Sequence, residues 1–342
     1  MFCRLAVAAL VGLAVAGRAD DPSMNHSGHA QVVSVENSAA ISDFQPNPAV
    51  VQTMMDRGVT VLANKSDPAA AWRSLVSSRD VVGIKVFSEA GMLSGTRPAV
   101  VAAVIQGLLA ADVPPTNIII WDKHTYDLRD AGFFDLAARF GVRVAGSAET
   151  GYDPTNFYQP DTVVIGSLVW GDLEFGKTND AVGRKSFVTK IVSQQITKII
   201  NISPLLNEDD IGVCGQLYSL ALGSVDNTRR FEADPARLAG AVPEIFALPL
   251  LGDRVVLNIT DALIGQYEGG GRGLLHYSAV PNQLWFSHDP VALDMLAIKE
   301  LDRERRAAGA PQLKPRLELY ANAALLQLGQ NNLTQIHVEK IR

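Results

Sequence analysis

The chain has 342 residues, of which 47% are hydrophobic and 19% are charged, which is the composition of a folded globular protein rather than a disordered or fibrous one. Its net charge is -6, its isoelectric point is near 5.5, and its lysines and arginines are scattered along the chain. This composition offers no basic field that would attract a phosphodiester backbone, so we expect no nucleic acid partner.

The first 19 residues have the layout of a cleaved secretory signal peptide. Arg4 is followed by an apolar run over residues 5–16 and by small residues at Gly17 and Ala19. The run of about 12 apolar residues is shorter than the roughly 20 that a helix needs to cross a bilayer. We therefore predict a signal peptide at 1–19, export to the periplasm or the extracellular space, and no integral membrane span after cleavage.

The polar segment 20–30 is predicted to be a flexible lead-in to a single domain at 31–342. His26 and His29 lie in this segment, and histidines in such a segment are more typically solvated side chains than metal ligands. Cleavage of the signal peptide removes Cys3 and leaves Cys214 as the one cysteine. Because an iron–sulfur cluster is usually held by four thiolates, we predict that the mature chain carries no such cluster.

Strand-like and helix-like patterns alternate after the lead-in. Residues 31–36 and 80–87 are short runs rich in β-branched side chains, and residues 97–113 repeat apolar side chains at helical spacing. Residues 117–122 then form a short, continuously apolar run that is typical of a fully buried strand. A strand, a helix and a second strand in this order predict a parallel pair with a crossover helix. The expected fold is therefore α/β, with a mostly parallel sheet flanked by helices.

The pattern changes once before it resumes. Glycine, aspartate, proline and asparagine become frequent at about 147–190, which predicts a β-rich insertion or a second lobe. Asp289 before Pro290 predicts the N-cap of a helix that runs to about residue 308. The other predicted elements are a helix at 127–141, a strand at 142–146, a strand at 196–203 closed by Pro204, a helix at 213–222, a helix at 236–250, a strand at 255–261 ended by Asp261, a strand in 282–290, a helix at 317–328 and a strand at 334–341.

Polar residues follow several of these predicted strands. Open α/β sheets bind ligands at the carboxyl ends of their strands, which selects Lys85, Asp122 and Asp261 as candidate catalytic residues. A carboxylate set with a histidine suits a divalent ion, so Asp122, Asp261, Glu268 and His276 are the predicted metal ligands. The alternative is that an aspartate just after a strand only caps a helix or forms a turn.

The glycine-rich loop after Asp261 has two interpretations. The backbone of Gly269, Gly270 and Gly271, together with Arg272, could cradle an anionic cofactor or substrate group. The spacing matches neither the Walker pattern nor the dinucleotide fingerprint, so a tight turn or a lid is the favoured alternative. Cys214 similarly has two interpretations, a nucleophile at a helix start and a small buried packing residue, and packing is the commoner case.

Five segments together resemble the domain-of-unknown-function-362 family, over roughly residues 80–305. They are DVVGIKVF at 80–87, NIIIWD at 117–122, residues 198–231, LNITDALIGQYEGGG at 257–271 and FSHDPVALDMLAIKEL at 286–301. The family is largely uncharacterised, so the resemblance implies little about activity. Many members carry a ferredoxin-type cluster domain, and this chain lacks the cysteines of that domain.

The resemblance also has one departure that concerns charge. Many relatives carry lysine, lysine and histidine where this chain has Pro204, Leu206 and Glu208. If those basic groups bind an anion in the relatives, this chain has lost that site. Its acidic residues Glu208, Asp209 and Asp210 would instead favour a cation.

Two functions are compatible with these observations. The first is an exported enzyme that depends on a divalent metal and acts on a small oxygenated substrate in a crevice at the strand ends. The alternative is a non-catalytic protein of the cell envelope that binds a small-molecule ligand with the same polar residues. A structural or interaction protein, in which the polar residues are only caps and turns, is a third possibility.

Overall fold

The computed structural model describes residues 29–177, 179–312 and 314–342. The predicted signal peptide, most of the predicted lead-in and His26 lie outside the described residues. Within the described part of the chain, no helix combines the length and the hydropathy needed to cross a membrane.

Fifteen strands lie within the described ranges. They are β1 Ala30–Glu36, β2 Ile41–Ser42, β3 Gln45–Pro46, β4 Val82–Lys85, β5 Ile118–Asp122, β6 Arg143–Gly146, β7 Tyr152–Tyr158, β8 Gly166–Ser167, β9 Val182–Gly183, β10 Ser186–Thr189, β11 Lys198–Leu206, β12 Val255–Gln266, β13 Ser278–Ala279, β14 Gln283–Ser287 and β15 Ile336–Ile341.

Twelve α-helices lie in the same ranges. They are α1 Pro48–Leu62, α2 Pro68–Leu75, α3 Gly91–Ser94, α4 Pro98–Ala110, α5 Thr125–Asp130, α6 Phe133–Phe140, α7 Ser147–Thr150, α8 Gln216–Ser224, α9 Arg229–Glu232, α10 Pro235–Phe246, α11 Pro290–Ala307 and α12 Glu318–Leu325.

The main sheet has the strand order β15-β1-β14-β12-β11-β4-β5-β6, with β13 added beside β12. Strands β12, β11, β4, β5 and β6 are parallel to one another, and β14 runs antiparallel between β12 and β1. The sheet is therefore mostly parallel, and the predicted α/β fold is confirmed.

Two hydrophobic cores cover the two faces of this sheet. One core packs helices α8, α10, α11 and α12 against the sheet, and the other packs α1, α2, α4 and α6 against the opposite face. Successive strand residues alternate between the cores, as Ile119 and Ile120 do in β5. Because both faces are buried, the strands read as continuous apolar runs in the sequence.

Several helices begin where an acid or amide side chain caps a first turn that contains proline. Asp289 accepts a hydrogen bond from the backbone N–H of Ala292 at 2.8 Å, and Pro290 occupies the first helical position of α11. The predicted N-cap is therefore confirmed. The same arrangement begins α1 at Asn47, α2 at Asp67 and α10 at Asp234.

Three predicted boundaries were wrong. The helix expected at 127–141 is two helices, α5 and α6, because Gly132 adopts φ +82° and breaks the helical path. Strand β11 passes through Pro204 to Leu206, with an irregular register next to the proline. Strand β12 passes through Asp261 and ends at Gln266, so Asp261 lies inside a strand rather than at its end.

The segment near 147–190 forms two small antiparallel pairs, β7 with β10 and β8 with β9. Buried Arg230 holds this segment to α9 by donating to the carbonyls of Tyr158 and Val164 at 3.1 and 3.2 Å. The β-rich character predicted for this part of the chain is therefore present.

Candidate functional site

The carboxyl edge of the parallel strands contains the point where the chain reverses its progress across the sheet. From β4 the chain moves through β5 to β6 on one side, and it later adds β11 and β12 on the other. Open α/β sheets bind ligands at such a reversal, although here Phe87 and Ala90, which follow β4, pack against Leu206 and Cys214. Polar residues beside these two strand ends are the first candidates for a functional site.

Lys85 and Asp122, both predicted site residues, form a buried ion pair at this edge. The Lys85 Nζ lies 2.8 Å from Asp122 Oδ1 and also donates to the Val86 carbonyl at 2.6 Å and to Ser219 Oγ at 3.0 Å. The second oxygen of Asp122 accepts hydrogen bonds from the backbone N–H and the hydroxyl of Ser88, both at 2.7 Å. Burial lowers the pKa of Lys85, and the charge of Asp122 opposes that change. The pair fixes the turn that leaves β4.

Gly223 of α8 leaves room for this lysine. A Cβ atom at Gly223 would lie 2.3 Å from Lys85 Cε and 2.8 Å from its Nζ. Glycine at this position is therefore required by the close approach of helix and lysine rather than by an unusual backbone angle.

Ionisable side chains surround Asp122 at the strand ends, and we call Glu89, Asp122, His124, Asp127 and Glu149 the edge cluster. Burial, together with neighbouring negative charges, raises the pKa of Asp127 to about 7. The neighbouring charges are those of Asp122, Glu89, Asp130 and Glu149. Burial, followed by the charges of Asp122 and Glu232, also raises the pKa of Glu89.

The start of α5 positions the edge cluster. Glu149 of α7 accepts hydrogen bonds from the backbone N–H and the hydroxyl of Thr125, at 3.0 and 2.9 Å. The ring of His124 stacks on Tyr126 with 4.9 Å between centroids. Burial and then the positive charge of Lys123 lower the pKa of His124. Within the edge cluster, the pKa values of Glu89 and Asp127 are raised toward neutrality, which suits these two carboxyl groups to proton transfer.

Lys123 directly follows Asp122 at the end of β5. Its Nζ donates to the carbonyls of Leu222, at 3.3 Å, and Val225 at the end of α8. Burial lowers the pKa of Lys123, and nearby carboxylates, with Glu232 first, oppose the change. Lys123 thus ties the end of β5 to the end of α8.

The sequence analysis missed Glu89, Asp127 and Glu149. Glu89 lies four residues after the end of β4, and Asp127 lies in the first turn after β5. A search of the first turns after each predicted strand, rather than only of the strand ends, would have selected both.

Asp261 has a structural role in this fold. It is fully buried, and its Oδ1 lies 2.9 Å from the Arg97 guanidinium, which is itself 2% exposed. Its Oδ2 accepts from the backbone N–H of Arg97 at 2.9 Å, and its Oδ1 also accepts from the Leu263 N–H at 3.3 Å. The prediction that Asp261 ends a strand and lines a crevice was wrong, because β12 continues for five further residues and Arg97 covers the carboxylate.

The glycine-rich loop is organised by one amide side chain. The Gln266 Nε2 donates to the carbonyls of Glu268, Gly270 and Arg272, and its Oε1 accepts from the Leu274 N–H at 2.7 Å. The loop is therefore held as an ordered turn, as the favoured alternative expected. A role in cofactor binding for Gly269, Gly270, Gly271 and Arg272 stays a prediction.

The four predicted metal ligands do not come together. Asp122 forms an ion pair with Lys85, and Asp261 forms one with Arg97. Glu268 lies 3.2 Å from Arg305, and His276 packs on Tyr277 with 4.0 Å between ring centroids. In the described ranges, no three His, Cys, Asp or Glu side chains are placed to hold a metal ion together. Asp261 cannot join the other three as the structure stands, because it lies within β12 and faces Arg97, and the metal assignment stays a prediction.

Two grooves lie outside the edge cluster. One, of about 560 Å³, lies between residues 158–164 and α10. The other, of about 450 Å³, lies between α3 and residues 273–276 and includes the exposed side chains of Met92 and Leu93. Neither is lined by Asp122 or Asp127.

Comparison with known proteins gives a weak similarity to one enzyme. No family model matches the chain. The chain is 28% identical over 247 residues to a hydroxyacylglutathione hydrolase of Acidiphilium cryptum, which covers 71% of this chain and 85% of that protein. This identity marks a similarity and does not place the chain in a family. The resemblance to the domain-of-unknown-function-362 family stays a prediction.

Among solved structures, the chain is similar to a structural genomics target from Thermotoga maritima. The two share 9% sequence identity and a TM-score of 0.41 over 79% of this chain and 61% of the other. The chain therefore spans about three fifths of that protein.

Proposed function

We propose that the chain is an acid–base enzyme that hydrolyses a small acylated molecule at the edge cluster. The observation that carries this proposal is Asp127, a half-buried carboxyl group with a pKa of about 7 beside the ends of β4 and β5. A carboxyl group with this pKa accepts and returns a proton near neutral pH. The similarity to a hydroxyacylglutathione hydrolase supports hydrolysis as the reaction and a small molecule as the substrate.

In this proposal Asp127 is the general base. Its ionised form takes a proton from water while the water oxygen bonds to the acyl carbon. The bond from that carbon to the leaving sulfur or oxygen then breaks, and Asp127 returns the proton to the leaving atom. Thr125, fixed by Glu149, sets the start of α5 and hence the position of Asp127.

The Lys85–Asp122 pair lies beside Asp127 in the proposed site and does not itself react. Both side chains are nearly fully buried, and the Lys85 ammonium group has acceptors in Asp122, the Val86 carbonyl and Ser219. Asp122 in turn accepts from the Ser88 backbone, so the pair positions the turn at Ser88. The negative charge of Asp122 is also one of the causes that raise the pKa of Asp127. Lys85 and Asp122 thus act as positioning residues in the proposed site.

A divalent metal stays a prediction. The similarity to a hydrolase agrees with an enzymatic function, whereas the side chains predicted to hold the metal are engaged elsewhere. No step above uses a metal. Metal content of the protein purified without chelator, measured by ICP-MS, tests this prediction directly.

The first experiment measures hydrolysis of a hydroxyacylglutathione and of p-nitrophenyl acetate from pH 5 to pH 9. We expect kcat/KM to rise with pH through about 7 and to fall by about 10²–10⁴-fold in Asp127→Asn. Asp135→Asn on the exposed face of α6 is the matched control. Saturable binding of the substrates without turnover would contradict catalysis and support the alternative of a ligand-binding protein.

We also propose that the chain is exported after cleavage near Ala19. The support is the sequence pattern of Arg4, the apolar run over 5–16 and the small residues before Asp20. N-terminal sequencing of the protein recovered from a bacterial periplasm should begin near Asp20. Recovery of the uncleaved chain in the cytosol would contradict export.

A further inference from the structure

The groove between α3 and residues 273–276 is walled by apolar side chains, and we call it the α3 groove. Its volume is about 450 Å³. Three large apolar side chains in its walls reach solvent, since Met92 is 51% exposed, Leu93 is 39% exposed and Leu275 is 38% exposed. Single exposed apolar side chains are ordinary, whereas three around one groove form a surface for the apolar part of a ligand.

Both walls of the α3 groove are held by hydrogen bonds from polar side chains beneath them. On the α3 side, the guanidinium of Arg97, which also pairs with Asp261, donates to the Leu93 carbonyl at 2.9 Å. On the other side, Gln266 Oε1 accepts from the Leu274 N–H at 2.7 Å. The walls are therefore fixed before a ligand arrives, which lowers the entropic cost of binding.

The α3 groove adjoins the edge cluster. Ala90, which lines the groove, directly follows Glu89 of that cluster. The charge of Glu89 is one of the causes that raise the pKa of Asp127, so Glu89 lies within electrostatic reach of the proposed base. Helix α3 also contacts α5, the helix that carries Asp127. An apolar chain in the groove can therefore extend from an acyl carbon held at Asp127.

Met92 lies between the α3 groove and the turn that joins α5 to α6. Its Cε is 3.0 Å from the position that a Cβ atom at Gly132 would take. A flexible thioether adapts to apolar groups of different shape. The described residues that line the groove include no carboxylate, lysine or arginine, so an apolar chain bound there removes water from none of these charged groups.

We propose that the α3 groove binds the acyl chain of the substrate, which is then an ester or thioester of an apolar carboxylic acid. The inference rests on the proposed hydrolysis and names the acyl part of its substrate. The acyl carbon lies at the edge cluster, and the chain beyond it lies between α3 and Leu275. Water gives its hydroxyl group to the acyl carbon and its proton to the leaving atom, so the products are the free acid and an alcohol or thiol.

Hydrolysis of p-nitrophenyl acetate, butyrate, hexanoate and octanoate, each below its solubility limit, tests the inference. Full burial of one CH₂ group strengthens binding about fourfold, and we expect about twofold for each CH₂ here, because the walls are partly exposed. The value of kcat/KM should then rise by about tenfold or more from acetate to hexanoate. The rise should appear mainly as a lower KM, since the groove contacts the chain equally in the ground state and in the transition state.

Two variants, one on each wall, locate the chain. Met92→Gln and Leu275→Gln place a polar amide in the groove, and each should lower the ratio of kcat/KM for hexanoate to that for acetate by about threefold or more. Leu325→Gln, at an 81% exposed leucine of α12 outside the groove, is the matched control and should keep the ratio of the parent. Thermal unfolding verifies that each variant is folded.

The outcomes separate this inference from the proposed hydrolysis. Hydrolysis of acetate with no gain for the longer esters, or an unchanged ratio in both folded wall variants, would overturn the inference and leave the hydrolysis standing. If no ester or thioester is hydrolysed, both proposals fail. A dimer in analytical ultracentrifugation that Leu275→Gln converts to a monomer would show that a second copy of the chain occupies the groove, and it would also overturn the inference.

Discussion

Two buried ion pairs near the carboxyl edge of the sheet join the same kinds of groups in different surroundings. Lys85–Asp122 and Arg97–Asp261 have N–O separations of 2.8 and 2.9 Å. The Arg97 guanidinium donates further to the carbonyls of Leu93 and Ile264, so neutral backbone surrounds that pair. Asp122 instead adds its charge to the ionisable edge cluster.

The difference teaches that an aspartate near a strand end acquires its role from its neighbours. Asp261 stabilises the junction between β12 and the start of α4, because it accepts hydrogen bonds from both the side chain and the backbone of Arg97. Asp122 closes one turn and changes the proton affinity of Glu89 and Asp127. Variants of the two regions should therefore fail in different ways.

The largest expected effect belongs to Asp261→Ala. The change leaves the buried Arg97 guanidinium without its carboxylate and should lower the free energy of unfolding by about 3–5 kcal/mol. Urea denaturation measures the loss, with exposed Asp130→Ala as the control. A loss below about 1 kcal/mol would mean that the pair does not hold the junction.

An intermediate effect is expected at the second pair from Gly223→Ala. The new methyl group would overlap Lys85 Cε, so the lysine must move from Asp122, and we expect a loss of about 1–3 kcal/mol. Gly240→Ala in α10 is the matched control, because no heavy atom lies within 4 Å of its new Cβ. That control should be stabilised by about 0.5–1 kcal/mol, since alanine favours the helix over glycine. Similar losses in both variants would contradict the close packing at Lys85.

The smallest expected effect is on the pH dependence of stability. It distinguishes the two ion pairs, because Asp122 and not Asp261 is among the charges that raise the pKa of Asp127. Folded Asp127 keeps its proton up to about pH 7, whereas the ordinary pKa of an aspartate is 3.8, so the folded chain binds more protons between these values. Its contribution to stability is thus fully present below the unfolded pKa and is lost as the pH rises through about 7. After allowance for solvent screening of this half-exposed group, we expect about 1–2 kcal/mol, which Asp127→Asn should remove from the pH profile of the melting temperature.

The same titration can be followed by carboxyl NMR in variants of the two pairs. Asp122→Asn should lower the pKa of Asp127, because it removes one of the negative charges that raise it. Asp261→Asn should leave the Asp127 titration where it is. Equal effects of the two substitutions would show that the two aspartates share one electrostatic environment.

The sequence predicted the α/β fold because apolar runs and helical periodicity report burial directly. Strand β5 and helix α4 were placed within three residues of their bounds, and the Asp289 cap was recognised from its own dipeptide with Pro290. Helices α1 and α2 were not predicted, although Pro48 and Pro68 follow capping residues that mark their starts. A capping residue followed by proline is thus sufficient to predict where a helix begins.

The site was harder to predict because it depends on contacts between distant parts of the chain. The pairing of Arg97 with Asp261 joins residues 164 positions apart, and no local pattern around either residue indicates it. Lys85 and Asp122 were selected together because both end neighbouring parallel strands. The raised pKa of Asp127 depends first on its burial and then on carboxylates such as Asp122 and Glu89, which approach it only in the folded chain.

The position of β1 has a consequence for how this protein reaches its folded state. Strand β1 pairs with β14 on one side and with β15, the last strand, on the other. The pairing of its Val33 and Ser34 therefore depends on residues more than 250 positions later in the chain. Such high contact order is associated with slow folding, because a long loop must close first. A chain truncated before Ile336 would also expose the edge of β1 as a template for pairing with other chains.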